Sequence, residues 1–322
     1  MAGWAQNYKL MTSPHSEPDE ILISRLRDQW LESGSTHPDE QLYYSAEVFA
    51  LEIRRIFFAN WTLFDFASRF EEDAHCRLHN IAMRSYIVVR NAANSFHALR
   101  NRCLHAAHPV LIADRSDSGD SLVCAYHGWR YSLGGELVSA PHLRTEISRD
   151  MTLPKQDVAL HAGLLYMAPV SELFTSPVPE FLTYQDFADG ASYSQSSQYD
   201  IAANWKKLAR LVRRCTKNIF IAHNPHIEHS VGCDLLLTHD AGSAIIRLIP
   251  WSVDRTKLTI TQQLSYDLNQ AQQEEFARHA DHLHAELERL ALSGETGDAD
   301  TQAQFRQRYL AMLTTVEYKE TH

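Results

Sequence analysis

The fold of this chain is decided by residues 101–129, which contain two short pairs of cysteine and histidine. The first pair reads Cys103-Leu-His105, and the second, after eighteen further residues, reads Cys124-Ala-Tyr-His127. Two such pairs on separate loops can bring two thiolates and two imidazoles to one place. That ligand set suits a [2Fe–2S] cluster in which two Cys hold one iron and two His hold the other, at a higher potential than four thiolates give.

Two other interpretations of these four residues stay open at this point. A zinc ion takes the same ligands tetrahedrally, although zinc fingers usually place both Cys before both His, whereas the two types alternate here. The third interpretation is four unrelated residues in a chain with 18 His. The two spacings and the Gly128-Trp129 that follows favour the cluster.

This stretch resembles the Rieske motif, and its surroundings resemble the large (alpha) subunit of Rieske non-haem iron oxygenases. The hairpin-like residues 86–99 before the first pair and 131–136 after the second fit that family. One departure is Ala106-Ala107, which stands where the family usually has Arg-Gly. The resemblance implies an α+β fold in which an all-β Rieske [2Fe–2S] domain is inserted beside a helix-grip catalytic-type domain of antiparallel sheet and helices.

The resemblance also implies a division of the chain. We expect residues 1–60 to be a helical segment on the catalytic-type domain, 61–170 to be the Rieske domain, and 171–322 to be the catalytic-type domain. Apolar periodicity predicts helices over 19–32, 46–60, 180–187, 269–292 and 298–313. Short apolar or alternating runs predict strands through 62–150 and over 164–167, 234–238, 243–250 and 257–266.

Composition narrows the class of protein. The chain has 322 residues and a net charge of −10, which argues against a nucleic-acid surface. Its five Cys are too few and too scattered for a disulfide scaffold and fit a reducing compartment. No apolar run is long enough to span a membrane, and the N-terminus lacks the order of a signal peptide. We therefore expect a cytoplasmic protein without nucleic-acid or membrane partners.

The second half of the chain contains Asn204-Trp-Lys206, which resembles the family's start of the helix that carries the mononuclear iron ligands. Apolar residues then repeat at helical spacing, and a basic stripe runs along the other side. The apolar residues are Leu208, Leu211, Val212, Cys215 and Ile219, and the basic residues are Lys206, Arg210, Arg213, Arg214 and Lys217.

The family's iron ligands are largely missing from this helix. The first His would fall at Lys217 or Asn218, and the acidic residue that bridges to a neighbouring subunit's cluster would fall at Arg214 or Cys215. Ferrous iron in such enzymes needs two His and one carboxylate. Neither protonated Lys nor Arg offers a metal a lone pair. His223 alone matches a family ligand, as the second His.

Other residues could rebuild the iron site. His226 and His229 follow His223 at intervals of three. Asp281 lies on the predicted helix 269–292, beside His282 and His284, and the family's carboxylate ligand comes from a helix of this kind. We take His223 and Asp281 as the candidate ligands of such a site.

Three functional hypotheses follow. In the first, the chain keeps the cluster, lacks its own mononuclear Fe(II), and serves as an electron-transfer or structural subunit beside an iron-bearing paralogous alpha subunit. In the alternative, the chain is an active Rieske monooxygenase or dioxygenase that hydroxylates or demethylates a small organic substrate at a rebuilt Fe(II) site. Either takes electrons from a reductase or ferredoxin and assembles into a homo- or hetero-oligomer. The third hypothesis is a non-redox binding protein.

Overall fold

The computed structural model of the chain describes residues 17–32, 41–70, 76–91, 95–114, 119–170, 174–175, 191–229, 234–265, 268–295, 299–314 and 317–318. These residues form two compact units. The all-β unit is Leu63–Ala168 and contains both Cys/His pairs. The mixed unit contains the described residues before Leu63 and after Ala168. The predicted helix over 180–187 lies outside the described residues.

The all-β unit consists of short strands, as the sequence predicts, joined by tight turns and by longer loops. Its strands are β1 (Thr62–Phe66), β2 (Cys76–Ile81), β3 (Arg84–Arg90), β4 (Phe96–Arg100), β5 (Ser121–Val123), β6 (Arg130–Ser132), β7 (Leu137–Ser139), β8 (Lys155–His161) and β9 (Leu164–Met167). One sheet has the order β1-β9-β8-β4-β3-β2, and β5-β6-β7 form a second sheet. The first Cys/His pair follows β4, and the second lies between β5 and β6.

The mixed unit combines helices with one large sheet. Its helices are α1 (Glu17–Glu32), α2 (Gln41–Tyr44), α3 (Ala46–Glu52), α4 (Trp205–Ile219), α5 (Gln270–Ser293) and α6 (Ala299–Thr314). Its strands are β10 (Phe174–Thr175), β11 (Ala191–Ile201), β12 (His226–His229), β13 (Leu235–His239), β14 (Gly242–Ser252), β15 (Arg255–Ser265) and β16 (Glu317–Tyr318). Strands β11-β15-β14-β13-β12 form an antiparallel sheet, and β10 pairs with β16.

Helices α4 and α5 pack with this sheet around one apolar core. Asn204 caps α4, because its side chain accepts a hydrogen bond from the Lys206 N–H at 3.0 Å. Asn269 and Gln272 form a capping box at the start of α5, and Gly294 ends that helix at a φ of 74°. The predicted helix 269–292 and its buried stripe are confirmed, as is the predicted arrangement of antiparallel sheet and helices.

The basic stripe predicted for α4 is only partly exposed. Lys206 is 2% exposed and pairs with the fully buried Glu52 of α3. Arg210 is buried too, with its guanidinium 5.3 Å from the ring centre of Tyr43. Residues of α2 and α3 thus cover Lys206 and Arg210. Glu52 of α3 is the acidic partner that α4 itself does not contain. No helix within the described ranges is long and apolar enough to cross a membrane.

Candidate functional site

The two Cys/His loops of the all-β unit are closed by matching backbone hydrogen bonds. In the first loop the Cys103 N–H donates to the His108 carbonyl at 2.8 Å, and the Ala107 N–H donates to the Cys103 carbonyl at 2.9 Å. In the second loop the Cys124 N–H donates to the Trp129 carbonyl, and the Gly128 N–H donates to the Cys124 carbonyl, both at 2.9 Å. The two loops therefore present their Cys and His side chains in similar ways.

These loops bury the two sulfurs and expose the two imidazoles. Cys103 and Cys124 are 3% and 1% exposed, whereas His105 and His127 are exposed. The Nδ1 atoms of the two His lie 2.9 Å apart. Two nitrogens bound to one metal ion at about 2.0–2.1 Å each would lie about 3 Å apart. The donor set and this convergence fit a cluster with one iron held by thiolates and the other by imidazoles.

Two aromatic side chains support the loops. The Tyr131 hydroxyl lies 3.1 Å from Cys103 Sγ and accepts a hydrogen bond from the Leu104 N–H at 3.0 Å. Burial and the contact with Cys103 raise the pKa of Tyr131, so its hydroxyl keeps its proton and can donate to a thiolate. The Trp129 ring stacks on His105 with ring centres 5.0 Å apart. Desolvation and then His105 lower the pKa of His127, which favours the neutral form that ligates metals.

The described part of the mixed unit contains a second group of potential metal ligands. One ligand atom from each of His223, Glu275 and His279 lies within 4.8 Å of the others. His223 Nε2 is 3.7 Å from Glu275 Oε1. Ligand atoms at about 2.0–2.2 Å from one ion lie at most about 4.4 Å apart, so small adjustments close this group on a metal.

Two elements bring these three side chains together. His223 ends the short helical turn Ile221–His223 that follows α4, and the Asp240 N–H donates to its carbonyl at 3.1 Å. Glu275 and His279 stand four residues apart on α5, so both lie on one face of that helix. The Nε2 of His223 and the Nδ1 of His279 are buried and have no hydrogen-bond partner among the described residues. Such nitrogens are free to bind a metal.

A third imidazole lies beside this group. The His239 ring is 6.1 Å from the His223 ring and stacks on Phe276 at 5.0 Å, measured between ring centres. Burial, then His223 and His279, lower the pKa of His239 to about 4. Burial and then His223 also lower the pKa of His279. Both side chains are therefore neutral at pH 7, the form that binds metals or donates one hydrogen bond.

The other residues proposed for a rebuilt site lie elsewhere. Asp281, the carboxylate expected beside His223, instead accepts a hydrogen bond from the Tyr199 hydroxyl at 2.7 Å. It follows Glu275 by six residues, so it lies on another face of α5. His284 stacks on Tyr199, and the His226 side chain is exposed on β12. The side chain of His229 lies outside the described part of the chain.

An open pocket of about 510 Å³ between α4 and α5 is lined by three of the four positions at which the family's ligands were expected, namely Arg214, Cys215 and Asn218. Arg214 forms an ion pair with Glu295, which also lines the pocket. Lys217, the fourth expected position, is exposed and is not part of the lining. The remaining lining residues are Ile219, His279, His282, Glu286, Arg289 and Leu290. Cys215 belongs to the apolar core, and burial raises its pKa to about 11, which makes it a poor thiolate ligand. His279 lines this pocket and is also one of the three potential metal ligands, so the pocket adjoins that ligand group.

Sequence reasoning missed Glu275, His279 and His239. Glu275 and His279 carried a usable signal, because two ligand-type residues at i and i+4 face the same way. Their position opposite His223 depends on how α4 and α5 pack, and no local pattern reports that. His239 ends a strand without any spacing signal.

Comparisons with known proteins support the cluster and the fold. The sequence profile of the Rieske [2Fe-2S] domain matches residues 60–158. Chloroplastic choline monooxygenase of Arabidopsis thaliana is 29% identical over 113 residues, which is 35% of this chain and 26% of that protein. The glycine betaine monooxygenase oxygenase subunit of Chromohalobacter salexigens is 26% identical over 217 residues, which is 64% of this chain and 48% of that protein. The chain thus spans less than half the length of these curated relatives.

Solved structures show the same fold. The apo form of the quaternary ammonium Rieske monooxygenase CntA matches with a TM-score of 0.65 at 15% identity, covering 85% of this chain and 94% of that chain. Alpha subunits of chlorobenzene and biphenyl dioxygenases also match this chain in sequence. The relatives are thus named as monooxygenases and dioxygenases, which gives no support to a chain confined to electron transfer.

Proposed function

Because this chain carries a Rieske [2Fe–2S] domain and is homologous to the alpha subunits of Rieske oxygenases, we propose that it is an active oxygenase component. In this proposal the chain holds the cluster at Cys103, His105, Cys124 and His127. It holds a mononuclear iron at His223, Glu275 and His279. The proposal adopts the alternative hypothesis drawn from the sequence, with Glu275 in the place of Asp281.

The observation that carries the proposal is the composition of the second ligand group. Two imidazoles and one carboxylate are the ligand set of non-haem Fe(II) oxygenases, which leave other coordination positions open. Two of the cations of α4, which argue against iron in the sequence, are paired with acids from other parts of the chain. Lys206 pairs with Glu52, and Arg214 pairs with Glu295. The positive charge of α4 is therefore partly neutralised, and its electrostatic repulsion of Fe²⁺ is weaker than the sequence of α4 alone suggests.

The chemistry that a bound ferrous ion supplies is activation of dioxygen with electrons delivered through the cluster. The chain's own residues hold the ion and shape its surroundings. The rings of Phe220 and Phe276 pack around the ligands, with ring centres 4.9 Å from His279 and 4.8 Å from His223 respectively. The rings thus hold the two imidazoles in place, whereas the Glu275 side chain is 47% exposed.

We extend the proposal to small charged or zwitterionic organic substrates that are hydroxylated or demethylated. The pocket that adjoins His279 is walled by the Arg214–Glu295 pair and by Arg289, whose Nε and Nη2 each donate to Glu286 at 2.8 Å. Exposed pairs of this kind are weak enough to exchange partners with a charged ligand. Matched relatives are named for choline, glycine betaine and quaternary ammonium compounds. A reductase or ferredoxin as electron donor and assembly into an oligomer belong to the same proposal.

Metal analysis of the anaerobically purified protein tests this function. We expect about three irons and two sulfides per chain, and about two irons in His223→Ala or His279→Ala, because two irons belong to the cluster. His226→Ala, a substitution of an exposed His three residues from His223, is the matched control and should keep about three. A wild-type content of two irons, all in the cluster, would instead support the subunit that only transfers electrons.

A further inference from the structure

His239 differs from the neighbouring imidazoles in how its two nitrogens are used. The Ala241 N–H donates a hydrogen bond to His239 Nδ1 at 3.3 Å. A nitrogen that accepts a hydrogen bond carries no proton, so the proton of a neutral imidazole is then on Nε2. A protonated nitrogen has no lone pair for a metal. His239 is thus set up as a hydrogen-bond donor and not as a ligand.

The Nε2 of His239 is buried and has no hydrogen-bond partner within the described ranges. Buried polar groups in proteins are nearly always satisfied, so an unsatisfied N–H points to a missing acceptor. The phenylalanine side chains packed against the His239 ring are aromatic and apolar, so they do not provide that acceptor. His239 packs against Phe220 and Phe276, the rings that also contact His223 and His279.

The backbone holds His239 in this place. The turn after β13 donates twice, from the Asp240 N–H to the His223 carbonyl and from the Ala241 N–H to the His239 ring. One short turn therefore fixes the position of a candidate ligand and the tautomer of the imidazole beside it. Hydrogen bonds from outer groups commonly fix the orientation and tautomer of imidazoles in metal sites.

We propose that His239 donates a hydrogen bond from Nε2 to an anion or oxygen atom bound at the group His223, Glu275 and His279, and that it does not bind the metal. This inference rests on the proposed function, because it needs the metal at that group. It assigns a fourth residue to the site, one that selects ligands with an acceptor atom.

The test compares His239→Phe, which keeps a flat ring of similar size, with His239→Gln, which keeps an N–H donor. Each variant, with its cluster intact, is titrated first with Co²⁺ and then with azide as the anionic probe, followed by difference absorbance. We expect His239→Phe to bind Co²⁺ within about threefold of wild type and azide about tenfold or more weakly, the usual effect of losing a hydrogen bond to a charged partner. His239→Gln should recover part of the azide affinity. His226→Phe should change neither.

Each other outcome has a distinct meaning. A loss of Co²⁺ affinity in His239→Phe as large as that in His223→Ala makes His239 a ligand and overturns the proposal. Unchanged azide affinity in a variant that binds Co²⁺ also overturns it and leaves the proposed function intact. Wild-type protein that binds no Co²⁺ overturns the metal site and this proposal together. Nitrogen-15 NMR of the metal-free site gives an independent readout, because a proton on Nδ1 contradicts the donor assignment.

Discussion

Ala107 occupies the position in the first Cys/His loop that Gly128 occupies in the second. Each N–H donates to the carbonyl of the cysteine four residues earlier, and their φ angles are 60° and 70°. An L-residue with a side chain is strained in this left-handed conformation, whereas glycine is not. The first loop therefore carries a strain that the second avoids.

We predict that Ala107→Gly stabilises the all-β unit by about 0.5–1 kcal/mol. Relief of roughly 1–2 kcal/mol of strain exceeds the added entropy of the unfolded chain. The reciprocal change, Gly128→Ala, should destabilise by about 1–2 kcal/mol for conformational reasons alone, since an added Cβ meets no atom closer than 3.9 Å. Urea unfolding of the cluster-loaded protein measures both. Ala106→Gly, beside the strained position but without a positive φ, is the control and should not stabilise.

A buried ion pair dominates the start of α4. The Lys206 Nζ lies 2.7 Å from Glu52 Oε1, and Glu52 also accepts hydrogen bonds from Trp205 Nε1 at 2.8 Å and the Tyr309 hydroxyl at 2.7 Å. We predict that Glu52→Gln destabilises the protein by about 3–5 kcal/mol, because it leaves a buried cation without its counter-charge. The midpoint of urea unfolding reports this loss.

The double variant Glu52→Gln, Lys206→Met separates charge from packing. Removing both charges should recover more than half of the loss, since buried pairs contribute little beyond their own desolvation. A double variant as unstable as Glu52→Gln alone would show that the bonds to Trp205 and Tyr309 matter more than the charge.

The parts of the fold and of the candidate site that depend on residues close together in the sequence could be predicted, whereas contacts between distant residues could not. The Cys/His spacing predicts the cluster loops, and the spacing of Leu208, Leu211 and Cys215 predicts α4. The partner of Lys206 could not be found this way, because Glu52 precedes it by 154 residues. The same holds for His223 and Glu275, which meet only because two distant helices share one core.

The cluster potential should depend on Tyr131. Its hydroxyl accepts from the Leu104 N–H and is placed to donate to Cys103 Sγ, which stabilises the more negative reduced cluster. We predict that Tyr131→Phe lowers the reduction potential by about 40 mV, the equivalent of about 1 kcal/mol for one electron. Protein-film voltammetry measures the shift. Tyr86→Phe, in the same unit but outside the ligand loops, should leave the potential unchanged.

Stability of the metal-free protein should fall as the pH is lowered from about 6.5 to about 4. Folding lowers the pKa of His239 from its ordinary value of 6.5 to about 4, so the unfolded state binds more protons between these values. Over this pH range the free energy of unfolding should fall by on the order of 3 kcal/mol. Urea unfolding at several pH values, with chelator present, should show a flatter profile for His239→Phe. An unchanged profile in that variant would assign the acid sensitivity to other groups.

Glu275 and Asp281 provide a matched pair on one helix for testing which carboxylate binds metal. We predict that Glu275→Gln weakens Co²⁺ binding by more than the roughly 10–100-fold that loss of an outer partner costs, because a neutral amide replaces a direct ligand. Asp281→Asn should leave Co²⁺ binding within about threefold, since Asp281 is engaged by Tyr199 on another face of α5. Both changes remove one charge from the same helix, so a general electrostatic effect would weaken binding in both variants. Loss of Co²⁺ in Asp281→Asn alone would restore the ligand assignment expected from the sequence.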